Sequence, residues 1–318
     1  MDINDIQSVG RRIGDNIARV ILGKDREIKL VIAAMLAGGH VLLEDVPGTG
    51  KTMLAKALAA SLDCGFGRIQ FTPDLLPSEL TGINFFSPKS GEFSFRKGSL
   101  FTNILLADEI NRATPRTQSG LLESMEELQV TVDGETYALP RPYFVIATQN
   151  SIETQGTFPL PEAQLDRFLI QLKLGYPLED ESVNILGLHI QGTPLTTLKP
   201  VCTANELAEM IEGVGRVFVH GEVLRYIVRL AESSRAHESV ALGVSTRGCL
   251  ALARLSQAFA ALNGRDFVTP DDVKFLTPYV FAHRLIFRSG HGGASAGPVI
   301  DSLLNSVQVP VEKWDIRA

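Results

Sequence analysis

Cysteine, tryptophan and long apolar runs are all scarce in this sequence, and each shortage closes off a class of protein. Its 318 residues include three cysteines, Cys64, Cys202 and Cys249, odd in number and far apart. They suit neither a disulfide framework nor a zinc site, and the expected compartment is reducing and cytoplasmic. The six histidines are scattered without ligand spacing. No stretch is long enough to cross a bilayer: the most apolar, "VIAAMLAGGHVLLEDV", is broken by two glycines and a histidine. The N-terminal "MDINDIQSVGRRIG" carries acids and no apolar stretch, which argues against a secretory signal. Basic excess is missing as well. The net charge is −6 and neither the first 194 residues nor the remainder is basic, so a nonspecific nucleic-acid binder is not expected.

What is present is an alternation of short apolar runs with helical patterns between Gly39 and about Lys173, without repeats or low-complexity tracts. This predicts a parallel sheet flanked by helices. The strand candidates are residues 40–44, 67–71, 103–108, 143–148 and 168–174, continuous apolar runs that suit strands covered on both faces. Two hairpins interrupt the alternation. One spans 83–95 with Gly91 in its turn; the other spans 129–139 around Asp133-Gly134, a dipeptide that favours the tight turns of hairpins. Beyond Pro177 only helical periodicity is visible, with Thr269-Pro270-Asp271-Asp272 as a well-formed helix start. The expected division is therefore an α/β core over 1–177 and an all-helical domain over 178–318.

Chemistry concentrates in "LLEDVPGTGKT", Leu42 to Thr52. A strand leads into Gly48-Thr49-Gly50-Lys51-Thr52 and a helical run follows, the setting in which backbone N–H groups and a helix N-terminus cradle phosphates. Lys51 would reach the β- and γ-phosphates of ATP, and the Thr52 hydroxyl would ligate Mg²⁺. A plain structural turn is the alternative. Asp45 stands where the strict motif has glycine, so its carboxylate is expected to point away from the nucleotide, toward a local backbone amide or a neighbouring subunit. About 57 residues beyond Lys51, "ILLADEINRA" ends an apolar strand in Asp108-Glu109. Asp108 would hold the metal through water and Glu109 would polarise the attacking water. A solvated strand end is the alternative for that pair taken alone.

Together "LLEDVPGTGKT", "RIQFTPDLLPSELTG", "LLADEINRATPRTQSGLLESMEE", "VIATQNSIETQGTFPLPEAQLDRF" and "GVSTRGCLAL" resemble the MoxR family of AAA+ ATPases, from about Ile21 to His283. The resemblance implies an AAA+ P-loop core with a parallel sheet between helices and a C-terminal all-helical lid. It places a helix-2 insertion at about 83–97 and a second hairpin at about 128–140, before the sensor-1 strand. It makes Asn150 the sensor-1 residue, Arg167 the arginine finger offered to a neighbouring subunit, and Arg247 the sensor 2 that reaches the γ-phosphate from the lid. Read without the family, these three are a strand-end asparagine, an arginine paired with Asp166 and an arginine on a solvated helix start. Ile21, Leu22 and Gly23 would enclose adenine, unless they simply face the core. Arg112 and Arg116 are further cations for a subunit interface.

The implied activity is Mg²⁺-dependent ATP hydrolysis in a ring, expected to be a hexamer. The implied role is chaperone-like maturation, assembly or metal insertion of client complexes, whose usual members carry von Willebrand factor A domains. Two other readings stand beside it: a DNA-remodelling, helicase-like motor and a nucleotide-gated scaffold with little turnover. The first is disfavoured because residues 128–140 contain Asp133 and Glu135 and no basic residue, although Lys89, Arg96 and Lys97 lie in the first insertion.

Overall fold

The structure is a computed structural model and describes residues 1–88, 91–150, 156–192, 194–288 and 295–310. Lys89 and the segment 151–155 of the Asn150 block lie outside the described residues. Five strands form a single parallel sheet: β1 (Val41–Asp45), β2 (Phe66–Gln70), β3 (Ile104–Asp108), β4 (Phe144–Asn150) and β5 (Ile170–Leu172), in the order β5-β1-β4-β3-β2. The register sets Asp45 beside Asn150 and Gln70 beside Asp108. All four residues thus finish at the carboxyl edge, where open α/β sheets bind ligands.

Strand residues alternate between two apolar cores, as a period of two demands. Val41, Leu43, Ile104, Leu106, Phe144 and Ile146 face one core; Leu42, Leu105, Ala107, Val145 and Ala147 face the other. Both faces are therefore covered, which explains why these strands read as unbroken apolar runs. The first core continues from the sheet through the helices Ile3–Ala18 and Asp25–Leu36 into the C-terminal helices Ala204–Val214, Gly221–Ala236, Thr246–Leu262 and Pro270–Phe281.

The helix starting at Pro270 is capped as its sequence suggests. Thr269 Oγ1 accepts the Asp272 N–H at 3.3 Å, and the Asp272 carboxylate accepts the Thr269 N–H at 2.8 Å. The region expected to be all-helical also contains short strands: Cys202–Thr203 pairs parallel with Leu62–Asp63, and Val240–Leu242 pairs antiparallel with Ile286–Phe287. Among the described residues, no helix is long and apolar enough to cross a membrane.

Both inserted hairpins form, Gly82–Ser87 with Glu92–Lys97 and Gln129–Val132 with Glu135–Ala138. Asp133 and Gly134 sit at φ of 52° and 86°, the left-handed pair required by the tight turn. The two hairpins also join each other. Phe95 stacks on Tyr137 with centroids 3.9 Å apart, and Asn84 Nδ2 donates to Asp133 Oδ2 at 2.9 Å. Ile83, Phe85, Phe86 and Phe93 remain exposed on the first hairpin.

Candidate nucleotide site

β1 ends at Asp45, and a five-residue turn leads to Lys51, the first residue of the helix Lys51–Ser61. Gly48 and Gly50 have φ of 84° and 91°, and a side chain on either would meet no atom within 4 Å. Glycine is required there by backbone conformation, and the result is an open concavity at a helix N-terminus. Thr49 Oγ1 closes the turn on the Val46 carbonyl at 3.2 Å.

Lys51 is buried and folds across the edge of the sheet. Its ammonium donates to the Asp45 carbonyl at 2.5 Å, the Gln149 carbonyl at 3.2 Å and Asn150 Oδ1 at 2.9 Å. Burial lowers its pKa, against the opposing pull of Asp45, Asp108 and Glu109. A desolvated ammonium held mainly by neutral carbonyls is a favourable partner for a polyanion.

The two acids are organised by one hydroxyl. Thr148 Oγ1 donates to Asp108 Oδ1 at 2.6 Å and accepts the Glu109 N–H at 2.9 Å. Glu109 stands at φ 57°, ψ 51°, a left-handed conformation unusual for a non-glycine residue and typical of functional sites. Its carboxylate accepts from Asn150 Nδ2 at 3.0 Å and Gln70 Nε2 at 2.8 Å, and pairs with Arg112 at 3.1 Å. Asp108 Oδ2 accepts Thr52 Oγ1 at 3.3 Å and pairs with Arg68 at 2.8 Å.

Asp45 is buried, and both its oxygens are bonded to backbone: Oδ1 accepts the Val46 N–H at 2.8 Å and Oδ2 the Gly175 N–H at 2.6 Å. The acid in the glycine position therefore fastens the start of the phosphate loop to the segment that follows β5. Leu22 and Gly23 sit near the same segment, Gly23 lying against the Glu181 carboxylate and Lys24 Nζ reaching the Tyr176 carbonyl at 3.4 Å.

Lys51, Thr52, Asp108, Glu109 and Asn150 thus converge with the loop glycines. Arg167 and Arg247 do not join them. Glu126, at the end of the helix Pro115–Glu127, pairs with Arg167 Nε at 3.2 Å through one oxygen and with Arg247 through the other. Its neighbour Met125 accepts at its carbonyl from His40 Nε2 at 3.0 Å, and His40 stands just before β1. The arginines therefore gather at the amino edge of the sheet, roughly 13 Å or more of strand away from the loop.

Arg247, expected to reach a γ-phosphate from the lid, does not lie beside the loop of its own chain. Its helix, Thr246–Leu262, packs on the N-terminal helices Ile3–Ala18 and Asp25–Leu36, which bring its start toward Glu126. Arg254 and Arg284 join Arg167 and Arg247 around a cavity of about 280 Å³. Arg112 turns inward to Glu109, whereas Arg116 is exposed at a helix start.

Sequence reasoning missed Arg68, Gln70, Thr148 and Glu126. The first two had a usable signal: "RIQF" places two polar side chains, spaced by two, on one face of a strand end.

The donor set fits a magnesium nucleotide. Two hard oxygens, on Thr52 and Asp108, converge beside an open cradle of amides. Among the described residues no cluster of three or more His, Cys, Asp or Glu could hold a metal alone. A cation here would share its shell with phosphate and water, as Mg²⁺ does.

Fold and site together define a P-loop ATPase of the AAA type. The family model described as "ATPase family associated with various cellular activities (AAA)" matches residues 40–170, and that of the AAA lid domain matches 232–301. Chaperone MoxR1 of Mycobacterium tuberculosis is 37% identical, over 92% of this chain and 80% of its own. The uncharacterised YeaC of Bacillus subtilis is 47% identical over 95% of both chains. Protein MoxR of Paracoccus denitrificans is 31% identical, over 92% and 93%. A crystal structure from Cytophaga hutchinsonii, described as a candidate ATPase, superposes with a TM-score of 0.89 at 34% identity and covers 97% of both chains. The chain belongs to the MoxR family of AAA+ ATPases.

Proposed function

We propose that this protein hydrolyses ATP with Mg²⁺ in a ring, expected to be a hexamer, in which each site is completed by arginines of a neighbouring subunit. The observation that carries the reading is the separation of the two halves. Lys51, Thr52, Asp108, Glu109 and Asn150 meet at the carboxyl edge of the sheet, and Arg167 and Arg247 are held on Glu126 at the other edge. A head-to-tail neighbour brings the second set to the first. Such an interface repeats heterologously and closes into a ring when its rotation allows.

In the reaction, Lys51 leaves its carbonyl partners for phosphate oxygens, and the loop amides hold the β-phosphate. Thr52 and Asp108 would hold Mg²⁺, which would supply positive charge against the charge developing on the phosphates. Glu109 releases its amide donors to accept a hydrogen bond from the attacking water, while Asn150 orients that water or the γ-phosphate. The neighbour's Arg167 and Arg247 supply permanently charged donors to the transition state; an arginine finger is worth about 10³–10⁵ in rate. The domain division at about residue 177 gives the lid-side Arg247 a means of coupling nucleotide state to domain orientation.

The work done is chaperone-like maturation, assembly or metal insertion of client complexes, supported by the relative named a chaperone. Clients with von Willebrand factor A domains are the expected class, and the joined hairpins, with exposed Phe85, Phe86 and Phe93, are the expected client-facing surface. The experiment is ATP hydrolysis by purified protein over a range of concentrations. Activity per subunit should rise steeply with assembly. Constant activity per subunit would remove the completed-in-trans site, and an absence of turnover would favour a nucleotide-gated scaffold.

A further inference from the structure

Arg68 sits on Asp108, the carboxylate proposed to hold the metal. Its Nη2 and Nε lie 2.8 and 3.3 Å from Asp108 Oδ2, the oxygen that also accepts Thr52 Oγ1. The other oxygen of Asp108 is taken by Thr148. The one carboxylate oxygen directed at the phosphate loop therefore carries a guanidinium. Arg68 Nη2 also donates to Gln70 Oε1 at 3.1 Å, which turns the Gln70 amide so that Nε2 reaches Glu109 Oε2 at 2.8 Å. Asp108, Arg68, Gln70 and Glu109 form one continuous chain of hydrogen bonds across the ends of β2 and β3.

We propose that Arg68 is a resident counter-cation that holds the metal position until Mg²⁺ arrives with the nucleotide, and that its displacement loosens the clamp on Glu109. Asp108 is buried and, without metal, its charge needs compensation. Arg68 supplies that compensation. Two cations on one oxygen repel, and arginine cannot give up its proton, so Arg68 yields only by moving. Moving breaks its bond to Gln70 Oε1, and the Gln70 amide loses the partner that aims it at Glu109. Metal arrival and release of the catalytic carboxylate become one event, and the nucleotide-free subunit keeps its base engaged.

This inference rests on the ATPase reading, and the test separates the two. Affinity for a non-hydrolysable ATP analogue is measured by calorimetry across a series of free Mg²⁺ concentrations, for the wild type, Arg68→Ala, Arg68→Lys and Lys51→Ala. For Arg68→Ala, the free Mg²⁺ giving half-maximal analogue binding should fall about fivefold, the scale of one partly exposed ion pair. Arg68→Lys, which keeps the charge, should fall between the two. Thermal stability gives a second readout: Arg68→Ala should melt below wild type without ligand and level with it when saturated with Mg²⁺ and analogue. An unchanged or raised Mg²⁺ requirement in Arg68→Ala would overturn the counter-cation role while leaving the nucleotide site intact. Analogue binding by Lys51→Ala equal to wild type would remove the nucleotide site itself, and this inference with it.

Discussion

Lys51 Nζ donates to Asn150 Oδ1 at 2.9 Å, and the Asn150 amide on its other side donates to Glu109. One neutral side chain thus spans Lys51, proposed to bind phosphate, and Glu109, proposed to activate water, with no proton of its own to exchange. Asn150→Ala removes both contacts at once. Turnover should fall by about 10² or more, the scale of losing one preorganised donor, while the Kd for nucleotide changes much less. Steady-state kinetics beside equilibrium binding will distinguish this from a tenfold loss of affinity with kcat intact, which would make Asn150 a binding residue only.

Asp45 ties the phosphate loop to Gly175, beyond β5, and Asp45→Gly tests what that tie does. Loss of two charge-assisted backbone bonds should cost about 1–3 kcal/mol of stability. Amide hydrogen exchange at residues 173–178 should speed up. Because both carboxylate oxygens are engaged with backbone, nucleotide affinity should stay within about tenfold, or 1.4 kcal/mol. A larger gain in affinity on removing the acid would mean that Asp45 opposes phosphate.

His40 stands before β1 at the amino edge of the sheet and donates to the Met125 carbonyl beside Glu126. It accepts the Val145 N–H at Nδ1, so it is a neutral ring with its proton on Nε2. Burial lowers its pKa from 6.5 to about 4. The unfolded state therefore binds the proton more readily. The stability contributed by the neutral ring is fully present above pH 6.5 and is lost as pH falls toward 4, by at most about 3 kcal/mol. Denaturant melts over this range should show the decline, and His40→Gln should flatten it in part. His283, partly exposed but with its pKa lowered by desolvation and by the neighbouring Arg284, contributes with the same sign.

Local patterns made much of this molecule legible. Apolar runs covered on both faces marked five strands, Asp133-Gly134 marked a hairpin, and Gly-Thr-Gly-Lys-Thr marked the loop. What stayed hidden depends on strand order. With β4 between β1 and β3, Thr148 reaches both acids and Asn150 reaches Lys51; with β2 beside β3, Arg68 and Gln70 reach Asp108 and Glu109. Nothing local in "GRIQF" names those partners. Arg247 was hidden for a different reason. A helix-start arginine can be seen in the sequence, but the edge of the sheet it faces is decided by helices that pack more than 200 residues away in sequence.

The central claim is that one subunit's Glu109 works with another subunit's Arg167. Glu109→Gln and Arg167→Ala proteins, each prepared separately and then mixed under conditions of subunit exchange, test it most directly. Each alone should show little ATP hydrolysis. The mixture should recover a substantial part of it, because some interfaces then pair an intact Glu109 with an intact Arg167. A mixture no more active than its two components would contradict the account.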